Sequence, residues 1–271
     1  TYPVSMEIDN NGSNIYFVGI RSPSIWIGNI SLMRNGTAEG IERIGIPLDS
    51  FAGIDPDLVS TGSVVLDEDN DRLFVSLLAF NTKGQILGYD LKNKTFTPYE
   101  LPDDITSPVG LALDLDDNLW VTDHGTSIFF RLDPVSGDIT KFTTSTVSPR
   151  TLGQSTTIDA AYTLPYWIKT GENGTIWFNQ HTGNKMSSFN PNNLTLTEYW
   201  IPSQNKLWGP CRDTVGQCGI SNALQFDVDK NNEVWFSEWS ENKIGRVLTD
   251  RVLPLTVSVL PHNFTLQRGG N

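Results

Sequence analysis

Apolar and polar residues alternate along this chain in short runs, and the runs recur at nearly fixed intervals. Five runs have the period-two pattern of a strand with one face buried: Asn14-Ile-Tyr-Phe-Val-Gly, Arg72-Leu-Phe-Val-Ser, Asn118-Leu-Trp-Val-Thr-Asp, Thr175-Ile-Trp-Phe-Asn-Gln and Glu233-Val-Trp-Phe-Ser-Glu. Each carries an aromatic at the same place, Tyr16, Phe74, Trp120, Trp177 and Trp235, spaced 58, 46, 57 and 58 residues apart. A shorter apolar run precedes each one, at residues 4–9, 64–67, 110–114, 166–170 and 224–229. Asn, Asp and Gly fill the gaps between, which is the chemistry of a hairpin turn.

A third run follows in every unit, at 24–27, 85–89, 127–132, 184–189 and 242–247. A fourth is visible in four units, at 41–47, 96–102, 139–142 and 194–202. Helical periodicity is absent. Units of four antiparallel strands, repeated around one aromatic position, predict an all-β fold: a β-propeller with five visible blades. A two-sheet sandwich also has many short strands, but it has no reason to repeat an aromatic at one place. The ring either closes on five blades or is completed by residues outside the chain. We assign 1–253 to the propeller. Residues 254–271 read as the first strand of an immunoglobulin-like domain or a linker strand. The opening Thr1-Tyr2-Pro3 enters a strand directly with no Met, as expected for a chain cut from something longer.

The blade motif carries a resemblance. Trp235-Phe-Ser-Glu-Trp-Ser-Glu-Asn-Lys-Ile-Gly-Arg, with its weaker copy Trp177-Phe-Asn-Gln-His-Thr-Gly-Asn-Lys-Met, resembles the signature of the streptogramin (virginiamycin B) lyase family. The likeness covers all five units and is strongest from about 107 to 250. The C-terminal run resembles archaeal surface proteins that carry such a propeller. Lyases of this family open a cyclic depsipeptide by elimination, using Mg²⁺, a general-base His and carboxylates near the ring axis. The resemblance implies a His about eleven residues before the blade aromatic. Val4, Gly62, Val109, Tyr166 and Leu224 stand at those places, and none is His. Glu238 matches the acidic residue of the motif, Asp123 is a shorter equivalent, and Gln180 has lost the charge.

Charge and composition then narrow the function. The chain has 271 residues and a net charge of -12, which argues against nucleic acid as a partner. No apolar run reaches the length of a transmembrane helix. Only 18% of residues are charged, and Asn, Ser, Thr and Gly supply most of the polarity. Seven glycosylation sequons occur, at Asn11, Asn29, Asn35, Asn93, Asn173, Asn193 and Asn263. The two cysteines, Cys211 and Cys218, have no nearby His and are too few for a zinc site; a disulfide stapling a surface loop is expected. Sequons and disulfide together point to an extracellular or cell-surface location.

Candidate chemistry is thin. His124 and His181 follow the second strand of consecutive units and define one rim, as a candidate metal or acid–base pair with Asp123 and Glu238. Acid-rich turns at 67–71 and 114–118 offer loose Ca²⁺ ligands, with Mg²⁺ the other candidate ion. Tyr166, Trp167, Trp208 and Trp239, flanked by Arg212, Arg150 and Lys169, form a candidate stacking platform for sugar or peptide. With no His at the matching places, the expected function is a binding or structural module of a surface layer or filament. Its partners would be surface proteins, glycans or further copies of itself. The alternative is an Mg²⁺-dependent lyase or related hydrolase.

Overall fold

The computed structural model describes residues 2–20, 22–33, 38–51, 57–79, 82–148, 151, 162–208, 211 and 218–249. The domain assignment of 254–271 lies outside the described residues. Among the described residues nineteen strands fall into five antiparallel sheets, each in simple chain order. Blade 1 holds β1 (Tyr2–Ile8), β2 (Asn14–Ile20), β3 (Ser22–Asn29) and β4 (Ile41–Gly45). Blade 2 holds β5 (Val59–Asp67), β6 (Arg72–Ala79), β7 (Gln85–Asp90) and β8 (Thr95–Tyr99). Blade 3 holds β9 (Pro108–Leu113), β10 (Leu119–Asp123), β11 (Ile128–Leu132) and β12 (Ile139–Thr143). Blade 4 holds β13 (Pro165–Thr170), β14 (Ile176–Gln180), β15 (Lys185–Asn190) and β16 (Thr195–Trp200). Blade 5 has three strands among the described residues, β17 (Ala223–Val228), β18 (Val234–Glu238) and β19 (Lys243–Val247). The blades form a propeller ring, as the repeat predicts.

Among the described residues helix is confined to single turns. The four-residue helix α1 (Ile30–Met33) was not legible in the pattern. Asn29 starts it: its side-chain oxygen accepts from the backbone N–H groups of Ser31 and Leu32, which is N-cap chemistry.

Each junction between consecutive blades is one apolar cluster. Tyr16, Val18 and Ile25 pack on Val64, Leu73, Val75 and Leu87. Phe74 and Ile86 pack on Leu111, Leu119, Val121 and Phe130. Trp120 and Phe129 pack on Ile168, Ile176, Phe178 and Phe189, and Trp177 and Met186 pack on Phe226, Val234 and Phe236. The repeated aromatics Tyr16, Phe74, Trp120 and Trp177 thus fill the wedges between blades, all of them buried. Trp235 does not, and is 46% exposed.

A polar device accompanies the aromatic in blades 2 to 5, while blade 1 has Val18 at that place. Every innermost strand carries a register shift near its start. The bulge frees a backbone N–H. A polar residue two places after the aromatic accepts it: Ser76 from Ser63, Thr122 from Gly110, Asn179 from Trp167 and Ser237 from Gln225. Three of these side chains also donate across the junction. Ser76 donates to the Val109 carbonyl, Thr122 to Tyr166, and Asn179 to Ala223 and Leu224. Consecutive innermost strands pass so closely there that a Cβ at Gly62 would lie 2.8 Å from Ser76 Oγ and 3.3 Å from the Val109 oxygen. At Gly110 a Cβ would collide with the Tyr166 carbonyl.

Candidate functional site

The antiparallel order gives the ring two unlike rims. Innermost strands start, and second strands end, on the upper rim. Turns between first and second strands, and between third and fourth, lie on the lower rim.

In three blades the residue just after the second strand is described, and it lies on the upper rim. In blades 3, 4 and 5 this is His124, His181 and Trp239, whose backbone N–H groups donate to Ser107 (2.8 Å), Leu164 (3.0 Å) and Asn222 (3.2 Å). The two predicted histidines do come together. Their ring centroids are 4.8 Å apart in an edge-to-face arrangement, and Tyr166 completes a triangle at 5.0 Å from His124 and 4.3 Å from His181. One nitrogen of each ring faces the next blade: His124 the carbonyls of Leu164 and Pro165, His181 that of Ala223. The other nitrogens, His124 Nδ1 and His181 Nε2, are buried without a partner. Burial pushes His124 down to about 4; burial, and then the neighbouring His124, push His181 down to about 3. His124 also lines a rim depression of about 500 Å³ with Leu78, Lys83, Asp103 and Ser107.

The carboxylates are placed otherwise. Asp123 is fully buried and accepts from the backbone N–H groups of Thr106 and Ser107 and the hydroxyl of Thr126. Its oxygens are thus spent on holding the connector that leads into β9. Gln180 donates to Ser187 Oγ (2.7 Å) and Glu198 Oε1 (2.6 Å). Glu198 also pairs with Lys185 at 3.1 Å. Burial raises the Glu198 carboxyl, but hydrogen bonds from Ser145 and Gln180 and the charge of Lys185 outweigh it and hold the group below its usual range. Glu238 is buried with Oε2 unpartnered.

Mg²⁺ takes several oxygen ligands in a near-octahedral shell. Among the described residues no group of three or more His, Cys, Asp or Glu is arranged to hold a metal ion. Asp123 is occupied and Glu238 stands alone, so the donor set does not fit Mg²⁺. Of the turn carboxylates at 67–71 and 114–118, Asp67 and Asp114 are engaged as well. Asp67 accepts from Asn70 and Arg72, and Asp114 from Asn118 and the Trp120 indole.

The aromatic platform divides. Trp208 and Trp239 form a pair, centroids 5.1 Å apart, 40% and 58% exposed. Tyr166 belongs to the histidine triangle. Trp167 lines a cavity of about 580 Å³ with Lys169, Gln225 and Asp227, between blades 4, 5 and 1. Arg150 and Arg212 lie outside the described residues. Cys211 and Cys218 are disulfide-bonded, and both sulfurs lie against the Thr151 carbonyl, at 3.3 and 3.2 Å. The bond closes the connector that carries Trp208.

The five described sequons, Asn11, Asn29, Asn93, Asn173 and Asn193, all sit in lower-rim turns; Asn35 and Asn263 are outside the described residues. Four of them make an Asx turn, the asparagine oxygen accepting the N–H of the Ser or Thr two residues on. Part of the sequon excess is therefore turn chemistry.

No protein-family model and no curated protein matches the chain. Solved structures do. It is similar to a catalytically inactive virginiamycin B lyase from Staphylococcus aureus solved with quinupristin: 18% identity, TM-score 0.54, covering 93% of this chain and 83% of that one. A streptogramin B lyase matches at 18% identity and TM-score 0.54, over 92% and 80%. The extracellular domain of a hybrid two-component system from B. thetaiotaomicron matches at 11% identity and TM-score 0.57, over 91% and 27%. The fold is that of the streptogramin lyase-like propellers. Identities this low carry the fold alone, and the fold hosts many functions. No helix among the described residues is long and apolar enough to cross a membrane.

Proposed function

We propose that this chain is a binding module of the extracellular or cell-surface kind, working without lyase chemistry. It takes a glycan or peptide of a surface partner on the upper rim. The observation that carries this reading is the Trp208–Trp239 pair. Two large indoles stand open to solvent beside a disulfide-closed connector, whereas such rings are normally buried in a blade junction.

The histidines weigh against elimination. An imidazole held near 3 or 4 takes a proton from substrate poorly at neutral pH, and neither ring is hydrogen-bonded to a carboxylate.

The test is a screen of the full chain against glycan and peptide arrays, followed by titration of the best hit. Trp239→Ala and Trp208→Ala are expected to weaken that hit by about tenfold or more, a loss of about 1.4 kcal/mol. Failure of both variants to weaken any hit would sink the platform. Mg²⁺-dependent opening of a cyclic depsipeptide by the purified chain would sink the non-catalytic reading.

A further inference from the structure

Equivalent positions around a propeller meet equivalent surroundings, and at one junction here they do not. The wedge aromatics of blades 1 to 4 are at most 7% exposed, while Trp235 is 46% exposed. The third-strand residues opposite the second-strand position two after the aromatic are Ile25, Ile86, Phe129 and Met186, all fully buried; their blade 5 equivalent, Ile244, is 77% exposed. The polar device is interrupted too. Ser237 returns its hydroxyl to Gln225 of its own blade, where Ser76, Thr122 and Asn179 reach the next one.

The facing side of blade 1 shows the same defect. Register places Met6, Ile15, Phe17 and Trp26 where blade 2 has Val64, Leu73, Val75 and Leu87. Those four are buried against blade 1. Met6 is 56% exposed, its strand neighbour Ile8 is 52% exposed, and Phe17 and Trp26 stack on one another half-buried. Among the described residues one exposed hydrogen bond, Gln225 Nε2 to the Val4 oxygen at 3.3 Å, joins blade 5 to blade 1 beside the 580 Å³ cavity.

We propose that the junction between blades 5 and 1 is the seat of one further blade of the same repeat, continuous with this polypeptide. Its fit is dictated on both sides. One face must bring branched aliphatics onto Trp235 and Ile244, as Val64, Leu73, Val75 and Leu87 do for Tyr16 and Ile25. The other must bring a second-strand aromatic onto Met6, Phe17 and Trp26. Seating it breaks the Gln225–Val4 bond. It covers apolar surface on both walls, which repays that loss.

A copy of blade 2, residues 59–106, joined ahead of Thr1 supplies both faces in phase. In the extended chain, Tm should rise by roughly 5 °C or more and binding of an apolar fluorescent dye should fall. Trp235→Ser should lower Tm sharply in the extended chain and barely in the parent, whereas Trp177→Ser lowers it sharply in both. If the extended chain folds with Tm and dye binding unchanged, the proposal is wrong. It is equally wrong if Trp235→Ser damages the parent as much as Trp177→Ser. It is also wrong if the parent sediments as a dimer that Trp235→Ser dissociates, because the seat then holds a second copy. Should the extended chain not fold, the two parent variants still decide. None of these readouts involves the upper-rim ligand, so the binding reading stands or falls separately.

Discussion

His124 and His181 were visible in the sequence as equivalent residues of consecutive units. Their environment was not, because it is made by carbonyls at the start of the next blade. That environment has a thermodynamic consequence. Both imidazoles titrate in the folded protein well below their ordinary value of 6.5, at about 4 and about 3. As pH falls through 6.5 the unfolded chain takes up protons that the folded one refuses. The stability tied to the neutral rings is thus fully present above pH 6.5. Below that it drains away, by at most about 1.4 kcal/mol per pH unit for each ring. Denaturant midpoints measured between pH 7 and pH 4.5 should fall steeply for the parent and less steeply for His124→Phe/His181→Phe. Equal slopes would show that the rings are not buried neutral. Asp123 marks the opposite limit of sequence reading. Its motif position suggested a ligand, yet its oxygens serve the backbone of the β9 connector, a use that only the fold reveals.

At the scale of the strand, alternation and the repeated aromatic located every described blade strand to within a few residues. They missed what couples one blade to the next. The signal was present: a polar residue two places after the aromatic, Ser76, Thr122, Asn179 and Ser237, in strands that are otherwise apolar. Read alone it looks like a solvent-facing position. The bulge turns it inward, where it accepts a freed N–H and bonds the next innermost strand. Asn179 makes the fullest set, accepting from Trp167 at 2.7 Å and donating to Ala223 at 2.5 Å and Leu224 at 3.2 Å. Asn179→Ala leaves those backbone groups unpaired in a buried junction and should cost about 2–3 kcal/mol in urea unfolding. Ser237→Ala, whose bonds stay within its own blade, should cost less than about 1 kcal/mol. If the two cost the same, the cross-blade bonds contribute nothing particular.

Over the whole ring, chemistry is sorted by rim. Acid-rich turns and every described sequon lie on the lower rim; the exposed indole pair, the histidine triangle and the disulfide lie on the upper. The sequence showed the members of both sets but not the sorting, which follows only from strand direction through five blades. It also could not show that Trp235 is exposed, since it reads like any other blade aromatic. The sorting makes a prediction about modification. A glycan on the lower rim leaves the upper rim free, so removing glycans should not change affinity for a ligand held by Trp208 and Trp239. Occupancy should follow access to the amide nitrogen. Asn11, Asn173 and Asn193 are exposed and use only the side-chain oxygen in their turns. Asn93 donates its amide to Asp90 at 2.9 Å, and Asn29 is half-buried. Site mapping by mass spectrometry, after expression in a glycosylating host, should find the first three occupied ahead of Asn93 and Asn29. A loss of rim binding on glycosylation would mean that ligand and glycan share a face, and the division between the rims would then have no functional meaning.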